Sequence, residues 1–206
     1  MDSVMFDQNK IVTIKDQIAD QMRSDIIAGE LAPNTKLNEQ SLSKRFGVSR
    51  GPIRDVLLQL TKEGLLVSKN NCGVSVNSVL DPAMQTLMIR IRREIETHAI
   101  SSLKGKLDDA DFDALDSILN RLKDAFKQED FIEVTKADID FHRYLVYKAG
   151  GQELVNLWHP IVLRMRMNYK RITNPKACVD EHKAIANALK EDNIKAAKEA
   201  LLANIR

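Results

Sequence analysis

The chain has 206 residues, 44% of them hydrophobic and 29% charged, with a formal net charge of +2. That length holds two small domains or one larger one. The near-balanced charge excludes a uniformly basic nucleic-acid coat, so any DNA contact has to come from a local patch.

Aromatic residues make up only 5% of the chain, which argues against stacking on single-stranded nucleic acid. Cys72 and Cys178 lie too far apart to suggest a disulfide framework. No signal peptide is visible at the N-terminus and no apolar run is long enough to span a bilayer, so a cytoplasmic protein with no membrane partner is expected.

Residues 1–12 read as a loose lead-in. Thr13 with Asp16 resembles a capping box, and Ile14, Ile18, Met22 and Ile26 recur every four residues up to about Ala28. Gly29 ends that helix, and 31–35 form a turn in which Asn34 tolerates a positive φ. Asn38 caps a short helix, Glu39 to Phe46, with Leu42 and Phe46 inward.

Gly47-Val48 then turns into a third helix, GVSRGPIRDVLLQLTKEGLL in full. Ser49 is placed to cap it, and Pro52 is tolerated in a first turn. Ile53, Val56, Leu57 and Leu60 make one apolar stripe, while Arg50 and Arg54 share another face. Two readings fit this helix alone. It is a surface helix with solvated arginines, or its N-terminal end enters the major groove, where arginine reads guanine edges or grips phosphates. The flanking pattern favours the second reading. Leu65 to Ser68 and Val74 to Val76 are β-prone, and 69–73 form a hairpin tip. Three helices and a two-stranded wing make a winged helix-turn-helix.

The segment Ile11 to Val79 resembles the DNA-binding domain of the GntR family. The resemblance is carried by Ile26-Ile27-Ala28-Gly29-Glu30-Leu31, Leu37-Asn38-Glu39, Phe46-Gly47-Val48-Ser49-Arg50, Pro52-Ile53-Arg54-Asp55, Glu63-Gly64-Leu65 and Gly73. It implies double-stranded DNA as partner. Arg50 and Arg54 are then the residues at bases or phosphates, with Ser49, Gly51, Gln40, Lys44, Arg45, Lys69 and Gly73 as further contacts. Three positions depart from the family pattern. Gly51 stands for a usual Thr, Gln40 for a frequent Arg, and the wing tip carries two asparagines and Cys72. Arg50 and Arg54 are therefore expected to carry an unusual share of the contact energy.

After a linker at Val79-Leu80, the pattern becomes purely helical. Asp81-Pro82 opens a helix with Met84, Leu87, Met88, Ile91, Ile95 and Ile100 on its apolar face. Further helices are expected from Leu107, from Phe131 to Ala149 closed by Gly150-Gly151, and from Glu153 to Tyr169 with a kink at Pro160. Two more follow, from about Lys176 to Lys190 and Asn193 to Arg206. The expected fold is mainly α, with a winged-helix domain over 1–79 and an all-helical domain of about six helices over 80–206.

In that second half, polar residues fall on an interior face. Asp138 and His142 are at i and i+4, and His182 follows in a later helix. Two imidazoles and a carboxylate fit a cation site with open positions; solvated or simply hydrogen-bonded pairs fit the same spacing. Arg92, four residues before Glu96, has two readings as well: a fork for a ligand carboxylate, or an ion pair with Glu96. His98 and His159 carry no pattern and read as surface or capping residues.

This half resembles the FCD domain, which commonly follows the winged helix in the FadR-type subfamily. The match rests on Arg92 and Glu96, on Asp138-Ile139-Asp140-Phe141-His142, and on Glu181-His182 with Ile185 and Ala188. It implies a divalent metal (zinc, manganese or nickel) held by Asp138, His142 and His182, with a small organic acid bound against it. Arg92, with Glu96 beside it, is the candidate to hold that effector, and Arg143 and Arg164 are weaker ones. Asn204 aligns with the fourth ligand, usually a histidine. An amide oxygen is a weaker, harder ligand, which lowers affinity and moves preference from zinc toward manganese or nickel, or leaves no metal at all.

The chain thus resembles a homodimeric transcriptional regulator on a palindromic operator, expected to repress and to release DNA on binding its effector. Two rivals belong to other classes. One is a metal-dependent enzyme built on the Asp138, His142 and His182 cluster, though no nucleophile or general base stands at a recognisable spacing. The other is a dimeric DNA binder that ignores small ligands.

Overall fold

Residues 12–69, 73–168 and 174–205 are described in a computed structural model of the chain. The expectations for Cys72 and for the Lys69 side chain fall outside what is described. The chain divides into two units, Met1–Ser78 and Val79–Arg206, one residue from the expected boundary.

Helix α1 (Ile14–Ile27) opens on the Thr13–Asp16 capping box, with both reciprocal bonds made. Its buried face begins at Ile18 and continues through Ala19, Met22 and Ile26. Ile14, assigned to that face by the four-residue repeat, is 62% exposed. Asn38 accepts the Ser41 N–H and starts α2 (Glu39–Phe46). Gly47 closes α2 in the left-handed region at φ 66° and turns the chain into α3 (Arg50–Lys62). Ile53, Val56, Leu57 and Leu60 of α3 are buried, and α3 packs against α1 and α2. Each such side chain, fully buried, contributes about 1.5–3 kcal/mol. Asn34 adopts a positive φ of 67°, as its place in the turn requires.

The wing is larger than its sequence indicated. Strands β2 (Leu66–Lys69) and β3 (Gly73–Val76) pair antiparallel, with Leu66 opposite Val76. A third strand, β1 (Lys36–Leu37), adds to the far side of β3, giving the order β1-β3-β2. Two residues carry no periodicity, so β1 exists only through its long-range partner.

The second unit contains α4 (Pro82–Ser102), α5 (Asp109–Lys127), α6 (Phe131–Arg166), α7 (Pro175–Lys190) and α8 (Ile194–Asn204). Side chains of Asp81, Asp108, Asp130, Asn174 and Asn193 cap all five at their N-termini. Helix α6 packs on α4 and α5, and α7 on α5 and α8. The core gathers Leu115, Phe141, Leu145, Ile185, Leu189 and Leu201.

Helix α6 is broken where Gly150 (φ −144°, ψ 17°) and Gly151 (φ 62°, ψ −160°) leave helical geometry. A Cβ on Gly150 would lie 2.8 Å from Leu154. No such departure occurs at Pro160, so the expected kink sits at the glycine pair instead. Counting its two segments, the described residues carry the six helical stretches read from the sequence. The apolar face expected on α4 needs correction. Met84 and Leu87 are exposed and Met88, Ile91 and Ile95 only half-buried, while Arg92, Glu96, Ala99 and Ile100 are buried. No described helix is long and apolar enough to cross a membrane.

Candidate functional site

Three side chains converge in the core of the helical unit. Asp138 and His142 come from the first segment of α6 and His182 from α7, and all three are buried. One ligand atom from each lies within 4.8 Å of the others. Ligands about 2.1 Å from a shared ion sit within about 4.2 Å of one another, so the cluster is close to binding geometry.

The tautomers follow from the partners. His142 Nδ1 is 2.7 Å from the Glu96 carboxylate and His182 Nδ1 is 2.7 Å from the Cys178 carbonyl oxygen. Both partners accept only, so each Nδ1 carries a proton and donates it. Each ring then turns its Nε2 toward the cluster, and neither buried Nε2 has a hydrogen-bond partner. Burial pushes the His142 imidazole down to about 4 although the Glu96 carboxylate pulls the other way, so it is neutral at pH 7. His182 Nε2 lies 3.4 Å from Asp138 Oδ1. An imidazole Nε2 lone pair and a carboxylate oxygen are both metal donors. The donor set therefore fits a divalent metal: Nε2 of two imidazoles and one carboxylate, with each imidazole oriented from behind.

Glu96 and Arg92 are paired with each other in the core. Glu96 accepts from Arg92 Nε at 2.6 Å, Trp158 Nε1 at 2.6 Å and His142 Nδ1 at 2.7 Å. Burial pushes the Glu96 carboxyl up, but the Arg92 charge, His142 and their hydrogen bonds outweigh it and hold Glu96 well below the usual carboxylate range. Of the two readings of Arg92, the ion pair is the one formed. Glu96 is the anchor of His142.

Arg143 lies near Asp140, which belongs to an exposed network with Arg121 and Glu133. The Asn204 amide nitrogen donates to Glu181 Oε2 at 3.2 Å. A residue the sequence did not single out joins the cluster: the Arg166 guanidinium, from the end of α6, contacts Asp138 Oδ2.

On the winged-helix unit, Gln40, Lys44, Arg50, Gly51, Arg54 and Gly73 are exposed. Arg54 Nε donates to Glu39 at 2.8 Å, with both side chains in solvent, a pair worth under about 1 kcal/mol. Arg45 is differently placed. It donates to the buried carboxylate of Asp25 at 2.6 Å and lies over the Phe46 ring, so it anchors α2 to α1. Ser49 has N-cap backbone geometry but its hydroxyl makes no capping bond, contrary to expectation. The first turn of α3 carries no acidic residue to offset its positive dipole end.

The model of the FCD domain matches residues 87–206, and that of the bacterial regulatory proteins of the gntR family matches 14–76. This chain belongs to the GntR family and carries an FCD domain. It is a DNA-binding transcriptional regulator, and neither the family nor its relatives are enzymes. The HTH-type transcriptional regulator YdhC of Bacillus subtilis is 28% identical over 194 residues, 91% of this chain and 86% of that one. The transcriptional repressor RspR of Escherichia coli is 24% identical over 202 residues, 96% of this chain and 88% of its own length. Among solved structures, Escherichia coli McbR/YncC superposes with a TM-score of 0.78 at 20% identity, covering 95% of this chain and 94% of that one. A GntR regulator from Rhodococcus sp. RHA1 superposes at 0.75 and 22%, covering 93% of each. Those two likenesses show the fold alone.

In this GntR regulator two contributors had no readable signal. Arg166 is brought back to Asp138 by the glycine break in α6, and the Cys178 carbonyl holds His182 through its backbone. The place of Glu96 behind His142 spans 46 residues, although its i, i+4 pairing with Arg92 was legible.

Proposed function

We propose that the winged-helix domain, residues 1–79, binds operator DNA through the first turn of α3, and that the helical domain, residues 80–206, senses a small organic acid at a divalent metal held by Asp138, His142 and His182. The observation that carries the reading is the pair of inward, partnerless imidazole Nε2 atoms beside a buried carboxylate. When bound, the metal supplies a fixed positive charge on which a ligand carboxylate rests. The chain's own residues do the rest. Glu96 and the Cys178 carbonyl hold the two rings in the binding tautomer, and Phe141 packs edge-on against both. Support for an acid as effector comes from the family resemblance and from a relative, the gluconate operon transcriptional repressor of Bacillus licheniformis. It is 26% identical over 184 residues, 84% of this chain and 74% of that one. Relatives named as repressors favour repression here.

At the DNA end, Arg50 and Arg54 reach bases or phosphates, Lys44 and Lys69 phosphates, and the unengaged Ser49 hydroxyl and α3 N–H groups a phosphate oxygen. The exposed stripe of Met84 and Leu87 on α4, continued by half-buried Met88, Ile91 and Ile95, is the face we assign to a homodimer contact. Two copies then address a palindromic operator. The effector shifts operator affinity only by its differential affinity for the two arrangements of the protein. The test is elemental analysis and native mass spectrometry of the purified protein. A dimer carrying one divalent ion per chain, lost in the His142→Ala, His182→Ala double variant, is the expected result. A wild type that takes up no zinc, manganese or nickel overturns the metal reading, and a monomer overturns the dimer.

A further inference from the structure

We propose that Arg166 is the metal's competitor: its guanidinium neutralises Asp138 in the metal-free protein, and a divalent cation competes with it for that carboxylate. This rests on the metal reading above and goes beyond it. Asp138 is 4% exposed, and a buried carboxylate left unpaired is strongly destabilising. Its neighbours cannot meet its charge. His142 turns its Nδ1 to Glu96 at 2.7 Å, and Arg92 is engaged by Glu96 at 2.6 Å. The guanidinium of Arg166 meets it instead, on Oδ2, while Oδ1 faces His182.

Arg166 is distant from Asp138 along α6. The two meet because the break at Gly150 and Gly151 lets the second segment of the helix return along the first. The Arg166 side chain is itself buried, only 10% exposed, at the end of a long stem of single bonds. A divalent ion at Asp138 and a guanidinium on the same carboxylate are like charges a few ångströms apart in a buried site, so each weakens the other's hold on Asp138. The apparent metal affinity is then the intrinsic one reduced by the fraction of molecules in which Arg166 has let go. Arg166 thereby sets how much metal the protein needs, without itself being a ligand.

The experiment titrates the chelator-stripped full-length protein with Zn²⁺ and with Mn²⁺, read by calorimetry and by competition with a chromophoric chelator. Arg166→Met is expected to bind at least about tenfold more tightly than wild type, and Arg166→Lys to fall between them. Metal-free Arg166→Met should melt lower than wild type and gain more on adding metal. If Arg166→Met does not fold, Arg166→Gln carries the same expectation. Equal or weaker binding by the variants, with wild type binding normally, overturns the competition and leaves the metal reading standing. No binding by any of them overturns both. Binding by Arg166→Met alone supports the competition in its strongest form.

Discussion

Replacing Glu96 with glutamine separates what holds the cluster from what would bind the metal. Glu96 accepts three buried donors, from Arg92, Trp158 and His142. Glutamine keeps one oxygen in the same place, so the Arg92 and Trp158 bonds survive in neutral form. Its amide nitrogen then faces His142 Nδ1–H, donor against donor. The ring relieves this by moving its proton to Nε2, which aims N–H instead of a lone pair into the cluster. The metal loses a ligand although no ligand has been mutated. Loss of such an orienting partner costs about 10–100-fold in metal affinity. Stability falls as well. Breaking a buried ion pair costs about 3–5 kcal/mol, and the retained amide oxygen recovers about 1 kcal/mol, leaving a loss of about 2–4 kcal/mol. Urea unfolding of the chelated protein, followed by fluorescence of Trp158, reports it directly, since this is the only tryptophan and it sits on Glu96. Adding Arg92→Met to Glu96→Gln should restore part of the loss, because no buried charge is then left alone. Wild-type metal affinity and an unchanged unfolding midpoint in Glu96→Gln would refute this account of the site.

Arg50→Ala should lower affinity for the specific operator by about 1–3 kcal/mol while leaving the oligomeric state intact; gel shifts that keep their sequence preference would remove α3 as the reader. Asp111 accepts from Tyr144 and pairs with Lys148 while closing the capping box of α5. Burial pushes its carboxyl up, but the bonds from Lys148, Tyr144 and the Asp108 N–H outweigh burial and hold it below its usual value. Its contribution is therefore present above the unfolded pKa of about 3.9 and lost as pH falls through the lower folded value. Asp111→Asn should cost about 1–3 kcal/mol at neutral pH and show a shallower loss on acidification than wild type; parallel acid-unfolding curves would contradict the assignment. Asn168 donates to the Leu80 carbonyl at 2.7 Å and accepts its N–H at 2.9 Å, two residues beyond Arg166. Asn168→Ala should speed amide exchange at Leu80 and make DNA binding insensitive to metal; unchanged exchange and an unchanged metal response would show that the linker is not clamped there.

Most elements were legible because each announces itself locally. Thr13, Asn38, Asp81 and Asp108 start helices by accepting backbone N–H groups within three residues, and the apolar period of α3 and α5 names its own buried side. What the sequence hid was long-range. Strand β1 has no pattern of its own and forms by pairing with β3. The face of α4 was misassigned because a period argument treats charged residues as outward, whereas Arg92 and Glu96 are buried by neutralising each other. The apolar residues left outside were counted as core for the same reason. The metal-type cluster was visible as Asp138 and His142 at i, i+4 with His182. The orientation of the His142 ring, and the arrival of Arg166, depend on contacts across 46 and 28 residues that no spacing encodes. The bond from Arg45 to the buried Asp25 carboxylate spans 20 residues and was likewise hidden.

The central claim is that occupancy of the Asp138–His142–His182 site changes how the protein binds its operator. It is tested by selecting the preferred DNA from a random-sequence pool and measuring affinity for it at fixed ionic strength, with the protein first metal-stripped and then loaded with manganese or zinc and a small carboxylic acid. The expected result is a palindromic site whose affinity shifts by about 5–150-fold on loading, with the shift absent in the His142→Ala, His182→Ala variant. An affinity that is the same in all states, in a wild type shown to carry the metal, would contradict it.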